Sequence, residues 1–289
     1  ILAWTLVVGT GLCLGAADLG GQTVRKEKVS GYAEWRRGDL LIVDGQRLRA
    51  TAATKVKGKG IAGFGSIPLG YEIEASGVRL RDSVIQLEAV EAKPNGTAAF
   101  ESDIRRTTDE MEAQWLQAGR VYEPDEEGGR KIIGRLVREG PGVDRVQAIV
   151  RRVMPPYLPR EALRVHVVDT KEWNAMAMGN GAIWVFSGIM RDMPDSQLAI
   201  VVGHELAHYT HEHSRRQARR GIWTQMAGLA ALLGAEAIGN DAAKAGVQLG
   251  AALGLSALTA GYGRDLEDQA DRVGLRYAYE AGFPVADAP

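Results

Sequence analysis

Two histidines and a glutamate stand in the order His204-Glu205-Leu206-Ala207-His208. On a helix, residues four apart lie one turn apart on the same face, so both imidazoles can reach a single ion. The glutamate between them then projects toward the ion's open coordination position, where it can take a proton from a bound water. H-E-x-x-H is the pattern of zinc-dependent hydrolysis. The competing reading is a surface helix that happens to carry two histidines. The apolar residues Leu198, Ile200, Val201 and Val202 ahead of His204 speak against it, because ionisable groups on a buried helix are costly unless paired or bound to metal.

Catalytic zinc commonly has three protein ligands and one open position, so one ligand remains to be found. His166, His211, His213 and carboxylates elsewhere are the candidates. His211 and His213 follow on what reads as one helix from Asp195 to Arg220, capped by Asp195 and Ser196. On such a helix His211 falls over the next turn and His213 is rotated off the ligand face. His166, in the strand-like run Leu163 to Val168, reads as a packed or hydrogen-bonded histidine. Glu267 is the better candidate. It lies three residues after Arg264 and four before Asp271 on a second expected helix, so all three share a face. Glu267 then supplies the third ligand, and Asp271 accepts a hydrogen bond from the far nitrogen of a ligand imidazole, fixing its tautomer. Arg264 either contacts the substrate or a developing oxyanion, or pairs with Glu267 or Asp268. A solvated acidic helix start is the plainer reading of this segment, and the upstream H-E-x-x-H outweighs it.

Together, His204-Glu205-Leu206-Ala207-His208, Arg264-x-x-Glu267-x-x-Ala270-Asp271 and Asn174-Ala175-Met176-Ala177 resemble the gluzincin family that contains the CAAX prenyl protease and the bacterial HtpX-like endopeptidases. The likeness is greater to the periplasmic bacterial branch and its mitochondrial inner-membrane relative, which lack the multi-span membrane core. It covers roughly residues 101–289. The resemblance implies one zinc ion per chain held by His204, His208 and Glu267, with Glu205 as general base and Asp271 holding a ligand histidine. It also implies that Asn174, Ala175, Met176 and Ala177 form a sheet edge that pairs with an extended peptide above the metal. Main-chain hydrogen bonds then hold polypeptide substrates with little demand on their sequence. His213 matches a histidine common in this branch and receives no role.

The elements that must position these residues are readable in outline. Residues 101–117 read as a charged linking helix, 119–130 as a loop rich in proline and glycine, and Val143 to Val153 as an amphipathic helix stopped at Pro155-Pro156. Asn174 to Gly181 and Ala182 to Phe186 read as two strands joined by a Gly/Asn turn. Strands followed by the motif helix suit an α+β, zincin-like metalloprotease domain over 101–289. Ahead of it, residues 30–93 alternate apolar and polar in short runs punctuated by Asp44-Gly45 and Pro68. That is the pattern of a small all-β, barrel-like domain. Within it, Lys55-Val56-Lys57-Gly58-Lys59 reads as a solvated loop.

The chain has 289 residues, a formal net charge of −1 and one cysteine. Its length allows one or two domains with adequate cores. The near-neutral charge argues against nucleic acid as a partner. Cys13 by itself excludes an intramolecular disulfide framework and a cysteine-based zinc site. Ile1 to Ala17 is uncharged and apolar and ends in Gly15-Ala16-Ala17, which reads as the hydrophobic part of a secretory signal cleaved before Asp18. The expected location is extracytoplasmic, periplasmic, with membrane association left open. Residues 221–261 are rich in Ala, Leu and Gly, with Glu236, Asp241 and Lys244 as their charges. Asn240-Asp241 divides them into two helical stretches whose modest hydropathy favours a soluble or membrane-contacting hairpin, set over the active site, against two spans. Both ends of the chain read as truncated.

Three function classes are open. The first is a zinc endopeptidase acting on unfolded or damaged envelope proteins. The second is a zinc-binding, chaperone-like or interaction module with suppressed catalysis. The third is a structural protein in which the histidines merely pack. Glu205 favours the first, since a scaffold that only binds metal needs no general base.

Overall fold

The computed structural model describes residues 26–93, 99–124, 129–221 and 261–287. The apolar start with Cys13 and Ala17, and residues 222–260 of the Ala/Gly-rich stretch, lie outside the described residues. The chain divides between Gly96 and Thr97 into two compact units. Among the described residues, no helix is long and apolar enough to cross a membrane.

Among the described residues, the regular elements of the first unit are strands and a single 3-10 turn. Strands β1 (Lys26–Arg37), β2 (Leu40–Val43), β3 (Gln46–Arg49), β4 (Lys55–Lys57), β5 (Glu72–Arg79) and β6 (Ile85–Lys93) follow the order β3-β2-β1-β5-β6-β4. Strand β3 also pairs in parallel with β6, so five of the strands neighbour one another in a cycle. Alternate residues point inward, as the pleat requires. Ile73 and Ala75 of β5 meet Ile85 and Leu87 of β6, with Leu41 and Leu48, in one core. The Lys55 to Lys57 segment, expected as a loop, is strand β4 beside β6. Its period of two is too short to read in sequence: Val56 packs on the core while both lysines stay exposed.

The second unit holds one five-stranded sheet with helices on both faces. Strands β7 (Arg120–Pro124), β8 (Arg130–Val137), β9 (Arg164–Asp169), β10 (Ala175–Ala177) and β11 (Ala182–Phe186) take the order β10-β11-β9-β8-β7. The segment expected as a loop over 119–130 instead contains β7, which pairs antiparallel with β8. Pro124 ends that edge strand, and edge strands are where sheets tolerate proline. Helix α1 (Ala99–Ala118) lies on one face of the sheet. Helices α2 (Pro141–Val153), α3 (Ser187–Asp192), α4 (Asp195–Thr210) and α5 (Arg264–Glu280) gather on the other. Strand β11 shows the division residue by residue. Ile183 and Val185 pack with Val146, Leu198, Leu206 and Val273, while Ala182, Trp184 and Phe186 pack with Trp115 of α1. All five β11 residues are therefore buried, as in any strand covered on both faces.

The motif helix differs from its expected span at both ends. Pro194, and neither Asp195 nor Ser196, occupies its cap position, and no side chain caps it. The Asp195 carboxylate sits in the first turn and accepts a hydrogen bond from Arg145 Nε at 2.7 Å. At the other end α4 stops at Thr210, well short of Arg220. Glu212 takes a φ of 51°, and helix resumes only over 213–221.

Helices α4 and α5 meet through glycine. A Cβ on Gly203 would lie 2.5 Å from the Gly274 carbonyl oxygen, and a Cβ on Gly274 would run into the His204 amide nitrogen. Glycine in a helix interior costs about 1 kcal/mol relative to alanine. Here its absent side chain is what lets α5 lie against the turn that carries His204.

Candidate metal centre

Helix α4 turns His204 and His208 toward α5, one turn apart. Their Nε2 atoms are 2.9 Å from each other. Glu267 Oε2, from the first turn of α5, lies 3.3 Å from His204 Nε2 and 3.8 Å from His208 Nε2. Among the described residues this is the one His/Cys/Asp/Glu group whose donor atoms converge, all within 4.8 Å. In a tetrahedral zinc site, bonds of about 2.0–2.2 Å set the ligand atoms roughly 3.3–3.6 Å apart. The observed 2.9, 3.3 and 3.8 Å lie on either side of that range, within reach of small side-chain shifts, and two imidazole nitrogens with one carboxylate oxygen are the donor chemistry of zinc.

Each of the three side chains is steered by a neighbour. Asp271 Oδ1 lies 2.8 Å from His204 Nδ1. The Tyr262 amide donates to Glu267 Oε1 at 3.1 Å, which leaves Oε2 facing the histidines. The Tyr262 ring stacks on His208 with centroids 4.1 Å apart and planes at 17°, and its hydroxyl is 2.7 Å from Ser214 Oγ. His213 Nδ1 lies 2.8 Å from His208 Nδ1. A continuous helix would have rotated His213 away from this place; the turn at His211 and Glu212 brings it back behind His208. His211 itself is the C-cap residue of α4, with Nδ1 3.0 Å from Thr210 Oγ1, and it is not in the donor group. His166 is likewise elsewhere: its Nε2 is 2.7 Å from Glu112 Oε1 and its ring lies against Trp184.

Desolvation, with the charges of His204 and His211 adding to it, holds His208 down at about 2, so it is neutral at any physiological pH. A neutral imidazole is the form that can coordinate metal. Burial pushes Glu205 up to about 8, opposed by the Ala177 amide and reinforced by the negative charge of Glu267. A divalent cation alongside would draw that carboxyl back toward ionisation. A carboxyl raised by burial is one that can take up a proton near neutral pH.

The remaining expected site residues lie beside this group. Strand β10 is the end strand of the sheet, paired with β11 through Ala175↔Val185 and Ala177↔Ile183. The Ala177 amide donates to Glu205 Oε2 at 3.0 Å, and the Asn174 carbonyl accepts from the Phe186 amide at 3.1 Å. Ala175 and Ala177 face the α4 side while Met176 packs toward α1. Arg264 is exposed at the first residue of α5. Among the described residues it makes neither of the ion pairs that its spacing suggested. Tyr262, Gln269, Gly203 and Gly274 were not singled out from sequence. For the glycines the signal was present: each interrupts a helical pattern at a cost that close packing explains.

A model of peptidase family M48 matches residues 143–288, about half of the chain. Mitochondrial metalloendopeptidase OMA1 of Bos taurus is 34% identical over 124 residues, covering 42% of this chain and 24% of that protein. Metalloprotease YcaL of Escherichia coli is 33% identical over 113 residues, 36% of this chain and 40% of that protein. A putative beta-barrel assembly-enhancing protease of Vibrio cholerae is 32% identical over 131 residues, 43% of this chain and 26% of that protein. The chain thus spans about a quarter to two fifths of the length of these curated relatives. The family match takes in the whole converging group, from His204, Glu205 and His208 to Glu267 and Asp271, and the chain belongs to peptidase family M48.

Proposed function

We propose that this chain is a zinc-dependent endopeptidase that hydrolyses unfolded or damaged polypeptides outside the cytoplasm. The observation that carries the reading is the convergence of His204, His208 and Glu267 next to Glu205 and the sheet-edge strand β10. His204, His208 and Glu267 would hold the ion. When bound, zinc polarises the scissile carbonyl and makes water a nucleophile at neutral pH.

The chain's own groups do the rest. Glu205 takes the proton of the attacking water and returns it to the leaving amine. The Ala177 amide steadies one oxygen of Glu205 and leaves the other to face that water. Asp271 keeps the His204 ring turned so that Nε2 points inward. Asn174, Ala175, Met176 and Ala177 align an extended peptide through main-chain hydrogen bonds, and Arg264 is free to meet it from the start of α5. Such bonds recognise an extended backbone and make few demands on side chains, which suits unfolded substrates. The apolar Ile1 to Ala17 run supports export, and a mitochondrial and a barrel-assembly protease among the relatives are in keeping with an envelope setting. The cyclic strand pairing of the first unit supports reading it as a small barrel.

Metal analysis followed by casein cleavage tests this directly. We expect one zinc per chain, hydrolysis abolished by chelation and restored by added zinc. Zinc-loaded protein that leaves unfolded casein intact would instead indicate a zinc-binding interaction module.

A further inference from the structure

His208 is the more deeply buried of the two candidate histidine ligands. Its Nε2 faces His204 Nε2 and Glu267 Oε2, so that nitrogen must be bare to hold an ion. A neutral imidazole then carries its proton on Nδ1. Among the described residues that proton has one acceptor in line, His213 Nδ1 at 2.8 Å. Two nitrogens cannot both donate across this gap, so His213 Nδ1 is bare as well and the His213 proton sits on Nε2. There it meets Gln269 Oε1 at 3.1 Å, an atom that can only accept. Arg216 Nη1 donates to the same amide oxygen, which fixes which end of the amide faces inward. His213, Gln269 and Arg216 are all buried, and the bonds have only one consistent direction.

We propose that His213 is a positioning residue for the metal, holding His208 in its Nδ1-protonated tautomer with Nε2 bare and aimed at the ion. Gln269, oriented by Arg216, sets the tautomer of His213 in turn. This inference rests on the reading of His204, His208 and Glu267 as metal ligands. His204 has a carboxylate, Asp271, in the equivalent place, but the Asp271 side chain is 71% exposed at the rim. Behind His208 the site is closed over by the Tyr262 ring. A carboxylate there would carry a desolvation penalty that a neutral imidazole avoids. The backbone is bent to supply that imidazole. On an unbroken helix, position 213 would point about 140° away from position 208. The positive φ of Glu212, a conformation non-glycine residues seldom adopt, turns His213 back onto it.

The test uses the full chain as wild type, His213→Leu and His213→Asn, with zinc affinity read by chelator competition. Asparagine offers a side-chain oxygen near the place of Nδ1, whereas leucine fills the space and accepts nothing. We expect His213→Leu to lose about 10–100-fold in zinc affinity, the usual effect of removing a partner behind a ligand, and His213→Asn to recover most of it. Equal affinity in wild type and His213→Leu, or equal loss in both variants, would overturn the proposal. Wild type that binds no zinc would overturn the ligand reading beneath it, a separate result. Long-range proton–nitrogen NMR on zinc-loaded wild type decides the matter even if a variant does not fold. His208 protonated at Nδ1 and His213 at Nε2 is expected; the reverse pattern in either ring refutes it.

Discussion

Glu205 and Glu267 are the same residue type, close enough for their charges to interact, and their surroundings differ. Glu267 has one oxygen fixed by the Tyr262 amide and the other turned toward two imidazole nitrogens. Glu205 has one oxygen fixed by the Ala177 amide and a carboxyl raised by burial. These surroundings suit the roles proposed for them, the first as a metal ligand and the second as a proton carrier. Replacing Glu267 with alanine leaves two protein ligands, which hold a divalent ion poorly. Zinc retained after gel filtration should therefore fall well below one per chain in Glu267→Ala. Stoichiometric zinc in that variant would remove Glu267 from the ligand set. Spacing alone brought out His204, His208, Glu267 and Asp271, because a four-residue separation on a helix is a geometric statement. It misplaced His213, because a single left-handed residue at Glu212 is invisible to periodicity. Tyr262 acts through its backbone amide and ring face, and neither use leaves a mark in sequence.

At the scale of elements, the candidate ligand group comes together where α4 and α5 touch. The Gly203–Gly274 contact lets the first turns of α5 reach the middle of α4. At an exposed helix position, glycine to alanine raises stability by up to about 1 kcal/mol. At Gly274 the added methyl meets backbone atoms, so Gly274→Ala should lower stability by about 1–3 kcal/mol, the range for overpacking. It should weaken zinc binding as well, since α5 carries both Glu267 and Asp271. Chemical denaturation of the metal-free protein and chelator competition measure the two effects. Unchanged values in both would show that the contact does not set the ligand geometry. Helices α1, α2 and α5 were legible in their charge and apolar periods, and the β10–β11 hairpin in its Gly/Asn turn, whereas the short α3 was not read. Nor were strands β4 and β7. In β4 the period covers three residues, and in β7 the nearby proline and glycines signal a turn more strongly than Val121 signals a strand.

At the scale of the whole second unit, one partly buried network joins α1, β9 and the β10–β11 turn. Glu112 of α1 accepts from Arg164 Nη2 at 2.7 Å and from Asn180 Nδ2 at 2.7 Å, and lies 2.7 Å from His166 Nε2. Burial alone would raise its carboxyl, but the hydrogen bonds from His166 and Arg164 outweigh this and hold it down at about 2. A depressed carboxylate favours the fold wherever it is ionised in the unfolded chain. Its contribution is therefore complete above pH about 4.5, the ordinary glutamate value, and fades as pH falls toward about 2. Acid titration of stability should show a decline across that window that is reduced in Glu112→Gln. Identical acid profiles would show that the network does not couple to folding. The network also pins the turn that leads out of β10, the strand proposed to align substrate beside Glu205.

Peptide hydrolysis by way of Glu205 is measured by casein cleavage with zinc-loaded Glu205→Gln beside zinc-loaded wild type. Glutamine keeps the size and can still accept from the Ala177 amide, but it cannot take a proton from water. At matched zinc occupancy the variant should be at least about 100-fold slower, the low end for loss of a general base. Equal rates for the two proteins would contradict the account.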